Sequence, residues 1–497
     1  MVFETQGFSF DFKKFFVPLT TKKAILIIII LGIIVFFNAL FNDFVIDDKG
    51  IIIDNTQVHT INIVYSFRES LINSGGQYRP IASLYYSFFY SLFGATPFPY
   101  HVLQILLHIV STALLYVLFR KFISPSIALF AALVFLIHPI QVESVSYIAQ
   151  IPSPPFFLLG IIPLLLSMGK NVSIKTLAAT FFLLLLSLLV KETGILFLFV
   201  MLVYSFLFAR KHLLKLAIGG FITLAVYVLF RFFIGQVGFE TRHFVPIAKL
   251  SLQKRLLNVP MIMLHYLKTF FFPKVLELQQ NWVITSVHIS TFYFPLIADL
   301  AFLACIFLTG LYVFKHHRHT AKPFLFFSSW FLIGLFFHLN IFPLDATVAD
   351  RWMYFPLAGL LGMIAVGLQS INLRNSSVKR ASLLLSILLI GMLSIRTMVR
   401  NANWYNEVTL FSSEVQVHDT YQNEDALGEA LLYKGLKDQA VPHFIKSIEL
   451  KDGKLWQPLC PPEQAVSSST CVTARDAILQ HFGIDISEPQ EPSVFLK

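Results

Sequence analysis

Three acidic residues follow the first long apolar run of the chain, at the point where a membrane helix would end. The run covers residues 24–40, and the acids are Asp43, Asp47 and Asp48. Apolar triplets flank the Asp47–Asp48 pair, which predicts a position at a membrane interface. A carboxylate that is partly desolvated there can accept a proton as a general base. The pair could instead cap a loop helix or anchor the loop, because acids with perturbed pKa values are a minority.

Other side chains that could take part in chemistry stand between later apolar runs. As candidates for binding a substrate we take Tyr78, Arg79, His138, Glu143, Lys191, Glu192, Asp350 and Arg351. An ionisable group at membrane depth costs about 2.5–3.5 kcal/mol on insertion scales, so the groups that remain usually line a cavity. All of these residues are predicted to lie on the same face as Asp47 and Asp48, and this convergence indicates a site.

Several of these candidates also have a purely structural interpretation. Lys191 and Glu192 could form an ion pair at the end of a helix. Arg351 could extend its side chain to the membrane surface and place its charge in water. His138 could be a buried histidine that is bonded to the backbone.

A metal centre is a further interpretation of part of this set. His138 and Glu143 could bind a cation together with Asp48, but their spacing matches no known metal signature. We therefore predict no metal centre and no cofactor, and a divalent cation stays open as the alternative.

The composition indicates a protein with many membrane helices. Of the 497 residues, 56% are hydrophobic and 13% are charged, whereas a soluble domain has about 25% charged residues. The mean hydropathy is +0.70. The net charge of +10 comes from short clusters of Lys and Arg between apolar runs. This pattern is typical of topology signals and not of a nucleic-acid partner.

Eleven apolar runs are long enough, or nearly long enough, for the roughly 20 residues that a membrane span needs. They cover residues 24–41, 98–119, 124–138, 154–169, 176–190, 194–209, 213–234, 291–314, 323–342, 355–372 and 381–397. Every short loop after an even-numbered run is basic, which predicts a cytoplasmic N-terminus. With eleven spans, the polar tail lies outside, on the face of Asp47.

The predicted fold is all-α, a polytopic membrane helical bundle with interfacial helices and a small helical domain at its end. Its parts are a cytoplasmic or interfacial segment at 1–23, a membrane domain at 24–400 and an extracytoplasmic tail at 401–497. In the tail, residues 423–452 show helix-turn-helix periodicity typical of one tetratricopeptide (TPR) unit. A lone unit cannot bury its own apolar face, so it would pack on the membrane domain or on a protein partner.

Two of the three cysteines lie near each other in this tail. They are Cys460 and Cys471, and the third is Cys305, inside an apolar run. Three cysteines are too few for a disulfide framework. If the tail is in an oxidising compartment, Cys460 and Cys471 could form a disulfide bond.

The order of short motifs along the chain resembles one family of membrane proteins. The motifs are DD after the first run, YRP at an interfacial helix, PFPYH before the second run, HPIQVESVSYIA, LLVKETG and DRWMYFP. This order, with a TPR-like unit after it, resembles the transmembrane and tetratricopeptide-repeat-containing proteins and their bacterial relatives. More distantly, Asp47–Asp48 resembles the Asp-Glu pair of protein O-mannosyltransferases. The resemblance covers roughly residues 20–450.

The resemblance implies the fold of the C-superfamily (GT-C) glycosyltransferases. In this fold the donor is a sugar linked to a polyprenyl phosphate, and the acceptor is a hydroxyl of a protein, a glycan or a lipid. Asp47 matches the position of the catalytic acid, and Asp48 matches its partner. Arg79 and Arg351 become candidates for binding the donor phosphate. The chain differs from these relatives in the apolar, proline-containing turn at 149–155 and in its single repeat.

Glycosyl transfer fits the residue types on this face. A base must take the proton of the acceptor hydroxyl, and cations must stabilise the phosphate that leaves. The resemblance implies either a bacterial cytoplasmic membrane or the endoplasmic reticulum membrane, with the site and the C-terminus extracytoplasmic.

Two other classes of function stay open. A transporter or flippase for a lipid-linked or anionic substrate would use the same basic residues along a central path, although few of them fall in mid-span. A membrane scaffold that presents the repeat to a protein partner would account for the tail but not for Asp47 and Asp48.

Overall fold

A computed structural model of the chain describes residues 19–68, 76–169, 172–238, 245–371 and 375–452. Most of the predicted interfacial segment at 1–23 lies outside these residues, and so do Cys460 and Cys471. Across the described residues the chain is helical, apart from one short antiparallel strand pair. The prediction of a helical bundle is therefore confirmed.

The described residues contain eighteen α-helices. In chain order they are α1 (Thr21–Phe36), α2 (Ile63–Arg68), α3 (Pro80–Phe93), α4 (Pro97–Phe119), α5 (Pro125–Ile137), α6 (Val142–Ser146), α7 (Ser153–Ser167), α8 (Ile174–Val190) and α9 (Ile195–Phe208). They continue with α10 (Leu213–Leu229), α11 (Leu252–Phe271), α12 (Phe294–His316), α13 (Arg318–Phe336), α14 (Tyr354–Gln369), α15 (Ser376–Asn403), α16 (Glu407–Val417), α17 (Tyr421–Tyr433) and α18 (Lys437–Asp452). Proline stands in the first turn of α3, α4 and α5, where its missing N–H breaks no helical hydrogen bond.

Each of the eleven predicted runs coincides with a helix, but not every helix is long and apolar enough to cross a membrane. Within the described residues seven helical segments meet that test, or eight if a pair bent by 49° near His138 forms one span. Two apolar helices beside Lys191 are shorter than 18 residues. The count of eleven spans therefore stays a prediction.

Helix α14 lies at the centre of the bundle and α15 at its edge. In the most apolar part of the segment Asp350–Gln369, 72% of the residues are buried, against 11% for Ser376–Asn403. The absent side chain of Gly359 lets α14 approach α13, because a Cβ there would lie 2.4 Å from the backbone nitrogen of Phe331. The indole N–H of Trp330 donates to the carbonyl of Phe355 across this contact, at 3.1 Å.

A strand pair fixes the segment that precedes α14. Strand β1 (Gln279–Gln280) pairs with β2 (Val348–Ala349) in an antiparallel register that places Gln280 opposite Val348. The Thr347 hydroxyl adds a hydrogen bond of 2.6 Å to the carbonyl of Trp282. The turn that carries Asp350 and Arg351 follows directly and leads into α14. The strand pair therefore holds the turn on one side, and α14 holds it on the other.

The helices after the membrane domain pack together and onto the loop that follows α1. Helices α17 and α18 form the hairpin predicted at 423–452, with Gly435 at a φ of +76° in the turn, and α16 packs against α17. The Asp43 N–H donates to the Tyr405 carbonyl at 2.9 Å. Arg400 pairs with Glu414 at 2.9 Å, where both side chains are buried. Whether the hairpin is a TPR unit stays a prediction.

Candidate active site

Asp47 is exposed on a loop with an unusual backbone conformation. The preceding residue, Ile46, has a φ of +52°, which a β-branched residue rarely adopts. Such a conformation costs of order 1–3 kcal/mol and persists only where the surroundings enforce it. Here the Asp47 N–H donates to the Tyr147 hydroxyl at 3.0 Å, and this hydroxyl also interacts with the Asp47 carboxylate. The exposed carboxylate of Asp47 is thus held in a defined place.

Asp48 faces the opposite way and is completely buried. Its two carboxylate oxygens accept the N–H groups of Val45, at 3.0 Å, and Ala149, at 2.5 Å. Burial raises the pKa of Asp48 well above its usual value, although these two hydrogen bonds oppose the shift. The structure therefore separates the pair that the sequence grouped as catalytic. Asp48 fastens the loop to the turn after Tyr147, and Asp47 is the carboxylate that a substrate can reach.

A second group of charges surrounds Glu192. Its carboxylate accepts Nε of Arg79 at 2.9 Å and the backbone N–H of Tyr78 at 2.9 Å. Arg231 lies 3.7 Å from the same carboxylate and donates to the carbonyl of Gly76 at 2.6 Å. The sequence predicts Arg79 and Glu192 as members of one site but does not pair them. In the structure they form a direct ion pair. Two arginines thus lie beside one carboxylate.

Lys191 is buried next to this group. Its ammonium donates to the Ser153 hydroxyl at 2.9 Å, a neutral partner, and lies 5.6 Å from the centre of the Phe156 ring. Burial, with the positive charges of Arg79 and Arg351 nearby, lowers the pKa of Lys191 to about 7. A small anion next to Lys191 would favour its charged form. Lys191 is thus well suited to bind a phosphate.

Arg351 and Glu143 form a buried ion pair. The guanidinium of Arg351 bonds to one carboxylate oxygen of Glu143, and the backbone N–H of Arg351 donates to the other at 2.7 Å. Asp345 lies 3.7 Å from the same guanidinium. The pair joins α6 to the turn before α14. Both residues belong to the predicted site, and both also hold the bundle together.

A small pocket lies beside Lys191 and Arg351. Its walls are formed by Phe156, Lys191, Thr193, His338, Arg351, Trp352, Tyr354 and Phe355. Two tyrosines link this region to the acidic loop. Tyr86 interacts electrostatically with both Arg79 and Asp47, and Tyr147 interacts with both Asp47 and Arg351. Both tyrosine hydroxyls are thus within electrostatic reach of Asp47 and of an arginine of the site.

His138 and Asp350 are placed differently from the other candidates. Both ring nitrogens of His138 are bonded to the backbone, Nε2 to the Phe270 carbonyl at 3.0 Å and Nδ1 to the Ile140 N–H at 3.2 Å. Asp350 is buried and interacts with the charges of Glu143 and Arg400. Neither residue lines the pocket beside Lys191. Their positions favour structural roles over the predicted contact with substrate.

Several residues of the site were not among those predicted from the sequence, and four of them pair with predicted residues through hydrogen bonds or ion pairs of their side chains. Tyr147 lies within the HPIQVESVSYIA motif, and Arg231 stands inside an apolar run, which is a signal in itself. Asp345 and Ser153 carry no such signal, because neither lies in a motif or inside an apolar run that marks it as part of a site. Across the residues that the structure describes, no group of three or more His, Cys, Asp or Glu side chains is arranged to hold a metal ion. The expectation of no metal cofactor stays a prediction.

Part of the chain matches the sequence model of a known protein family. The sequence model of a family described as "Dolichyl-phosphate-mannose-protein mannosyltransferase" matches residues 79–234, which is less than half of the chain. This range begins at Arg79 and includes Glu143, Lys191 and Arg231. It therefore contains most of the cationic part of the site.

Curated relatives extend the likeness over most of the chain. Protein O-mannosyl-transferase TMTC3 of Homo sapiens is 24% identical over 471 residues, which cover 86% of this chain and 51% of that protein. Protein O-mannosyl-transferase F38B6.6 of Caenorhabditis elegans is 27% identical, over 86% of this chain and 63% of that protein. The chain thus spans about half the length of the first of these relatives and less than two thirds of the second.

A solved structure shows a weaker likeness. ArnT from Cupriavidus metallidurans bound to undecaprenyl phosphate aligns with a TM-score of 0.42 and 14% identity, over 86% of this chain and 75% of that chain. A TM-score this low carries no argument about fold or ligand. The resemblance that the motifs indicate is confirmed by the sequence relatives: the chain is related to the TMTC group of protein O-mannosyl-transferases.

Proposed function

We propose that this chain is an integral membrane glycosyltransferase that moves a sugar from a polyprenyl-phosphate-linked donor to a hydroxyl of a protein or glycan. The observation that carries the proposal is the exposed Asp47 carboxylate, held by Tyr147, whose hydroxyl also interacts electrostatically with Arg351. The names of the sequence relatives support mannose as the sugar and protein as the acceptor. Membrane lipids surround the exposed apolar helices.

In the proposed reaction Asp47 takes the proton of the acceptor hydroxyl. At the same time the hydroxyl oxygen of the acceptor attacks the anomeric carbon of the sugar. A bond forms between this oxygen and the anomeric carbon, and the bond from the carbon to the phosphate oxygen breaks. The polyprenyl phosphate leaves with the bonding electron pair. Proton transfer to a positioned base typically contributes 10²–10⁴-fold to the rate.

The leaving phosphate gains negative charge, and the cations near the pocket would stabilise it. Arg79 and Arg351 are each paired with a carboxylate, so part of their charge is already neutralised. Lys191 instead bonds to the neutral hydroxyl of Ser153. We therefore assign the main phosphate contact to Lys191, with Arg79 beside it, and give Arg351 mainly the task of shaping the pocket.

The proposed orientation places Asp47 and the helices after residue 400 on the extracytoplasmic face. The basic loops predicted from the sequence support this orientation. The contacts of Asp43 with Tyr405 and of Lys49 with Glu407 put the loop and the C-terminal helices on one side of the bundle. A protein acceptor or partner would then meet the hairpin of α17 and α18 on the side where transfer takes place.

The test uses purified protein in nanodiscs with mannose linked to polyprenyl phosphate and with peptides rich in serine and threonine. We expect sugar on peptide hydroxyls and an equal amount of released polyprenyl phosphate, both measured by mass spectrometry. Arg79→Ala serves as a variant that should weaken both donor binding and turnover. The proposal is contradicted if the donor crosses the membrane of sealed vesicles and keeps its sugar, because that is the activity of a flippase.

A further inference from the structure

Glu407, at the start of α16, bonds directly to the loop that carries Asp47. One carboxylate oxygen accepts the backbone N–H of Ile46 at 3.0 Å, and the other accepts the Lys49 ammonium at 2.5 Å. The first contact falls on the residue with the left-handed backbone, and the second falls two residues after Asp47. One side chain from beyond the membrane domain thus bonds to the loop on both sides of the proposed base.

The Glu407 side chain is itself held in place. The Asn406 side chain accepts the Thr409 N–H, and the Thr409 hydroxyl accepts the Asn406 N–H, so α16 begins with a reciprocal cap. Glu407 is in the first turn, where the helix dipole stabilises a negative charge. Trp404, just before the helix, is buried with its ring centre 5.1 Å from that of Tyr147. The start of α16 is therefore a rigid support.

The hairpin also reaches the loop. The Lys49 ammonium lies 4.3 Å from the centre of the Tyr433 ring, at the end of α17, in addition to its ion pair with Glu407. Lys49 thus joins the Asp47 loop to two different helices of the C-terminal segment. Tyr147 and Ala149 hold the same loop from the membrane side through Asp47 and Asp48.

We propose that the C-terminal helices act as a clamp on the Asp47 loop, with Glu407 as a positioning residue for the base. Glu407 does not line the pocket beside Lys191, and it acts through the backbone of Ile46. Its bond keeps Ile46 in the left-handed region, and this conformation aims the next side chain, Asp47, outward. The part of this inference that concerns catalysis rests on the proposed transferase function, whereas the clamp itself does not.

The experiment measures the clamp and its effect on catalysis separately. Hydrogen exchange followed by mass spectrometry reports the protection of amides in the peptide around Ile46, in the intact chain in nanodiscs. We expect Glu407→Ala to speed exchange there at least tenfold. Glu407→Gln should have a smaller effect, because its amide oxygen still accepts the Ile46 N–H. Asp438→Asn is the matched control, an acid in the first turn of α18 that is exposed and should change nothing.

Transfer kinetics give the second result. Glu407→Ala should lower kcat at least tenfold and leave KM for the donor within twofold, since the cations near the pocket are untouched. Unchanged exchange around Ile46 in Glu407→Ala would overturn the clamp, and an unchanged kcat with faster exchange would overturn the positioning role. If the wild-type chain transfers no sugar, the proposed function fails, and the exchange result alone decides the clamp.

Discussion

Asp47 and Asp48 are neighbours in the chain, yet their carboxylates point into opposite environments. Asp48 is fully buried and accepts the N–H groups of Val45 and Ala149, whereas Asp47 is exposed beside the Tyr147 hydroxyl. The buried acid fixes the loop, so the exposed acid can be available to a substrate without being mobile. Because the two side chains have different roles, we expect substitution of Asp48 to affect stability and substitution of Asp47 to affect sugar transfer.

Asp48→Asn is expected to destabilise the fold by about 1–3 kcal/mol, because the asparagine amide group cannot accept one of the two buried N–H groups. Thermal unfolding in detergent measures the loss.

Burial raises the pKa of Asp48 above its unfolded value, so its contribution to stability is full below about pH 3.8 and is lost as the pH rises through the folded pKa. The difference in stability between wild type and Asp48→Asn should therefore shrink as the pH rises. A difference that grows with pH would contradict this assignment.

The lowered pKa of Lys191 predicts that donor binding depends on pH. With a pKa of about 7 in the free protein, Lys191 loses its charge as the pH rises through neutrality, and an anionic phosphate then binds more weakly. The dissociation constant of the donor should rise with pH above 7, by up to tenfold per pH unit. Binding isotherms from pH 6 to 9 measure this.

Two substitutions provide the matched comparison at this position. Lys191→Arg keeps its charge throughout that range, so its donor affinity should be independent of pH. Lys191→Met should bind the donor weakly and with little dependence on pH. A wild-type affinity that is flat between pH 6 and 9 would remove Lys191 from the phosphate site.

The ion pair of Glu143 and Arg351 predicts an asymmetry between single and double variants. Removing one partner leaves a buried charge without compensation, which costs about 3–5 kcal/mol. Glu143→Gln and Arg351→Met should therefore each lower the unfolding temperature strongly. The double variant should be more stable than the sum of the two losses predicts, because it leaves neither charge behind. Additive losses would show that the two side chains do not depend on each other.

The sequence predicted the helices well because apolar runs and proline positions are local signals. Each run coincides with a helix, and the turn at Gly435 was expected from the pattern. The number of spans does not follow from the same local signals. Helices such as α8 and α9 are shorter than a span usually requires. Their depth in a membrane depends on packing that a hydropathy pattern does not contain.

The sequence predicts several residues of the site, but it does not predict which residues they form hydrogen bonds or ion pairs with. Lys191, Arg79 and Glu143 were selected because ionisable groups are costly next to apolar runs. Arg79 and Glu192 are 113 positions apart, and Ile46 and Glu407 are 361 apart, so only the fold brings them together. The difference between Asp47 and Asp48 depends on which way a single loop turns. No pattern of residue types specifies that direction.

The rate of sugar transfer by Asp47→Asn tests most directly whether Asp47 is the base. The substitution keeps the size of the side chain and removes its ability to accept a proton. We expect kcat to fall by about 10²–10⁴-fold while the dissociation constant of the donor stays within twofold. Asp43→Asn is the matched control, an exposed acid in the same loop whose carboxylate accepts the N–H of Phe44, and it should transfer at nearly the wild-type rate.

Transfer is measured as single-turnover formation of glycopeptide from polyprenyl-phosphate mannose by purified protein in nanodiscs. We expect tight donor binding without transfer for Asp47→Asn and normal transfer for Asp43→Asn. Near-normal transfer by Asp47→Asn, in protein whose wild-type form is active, would contradict the assignment of Asp47 as the base.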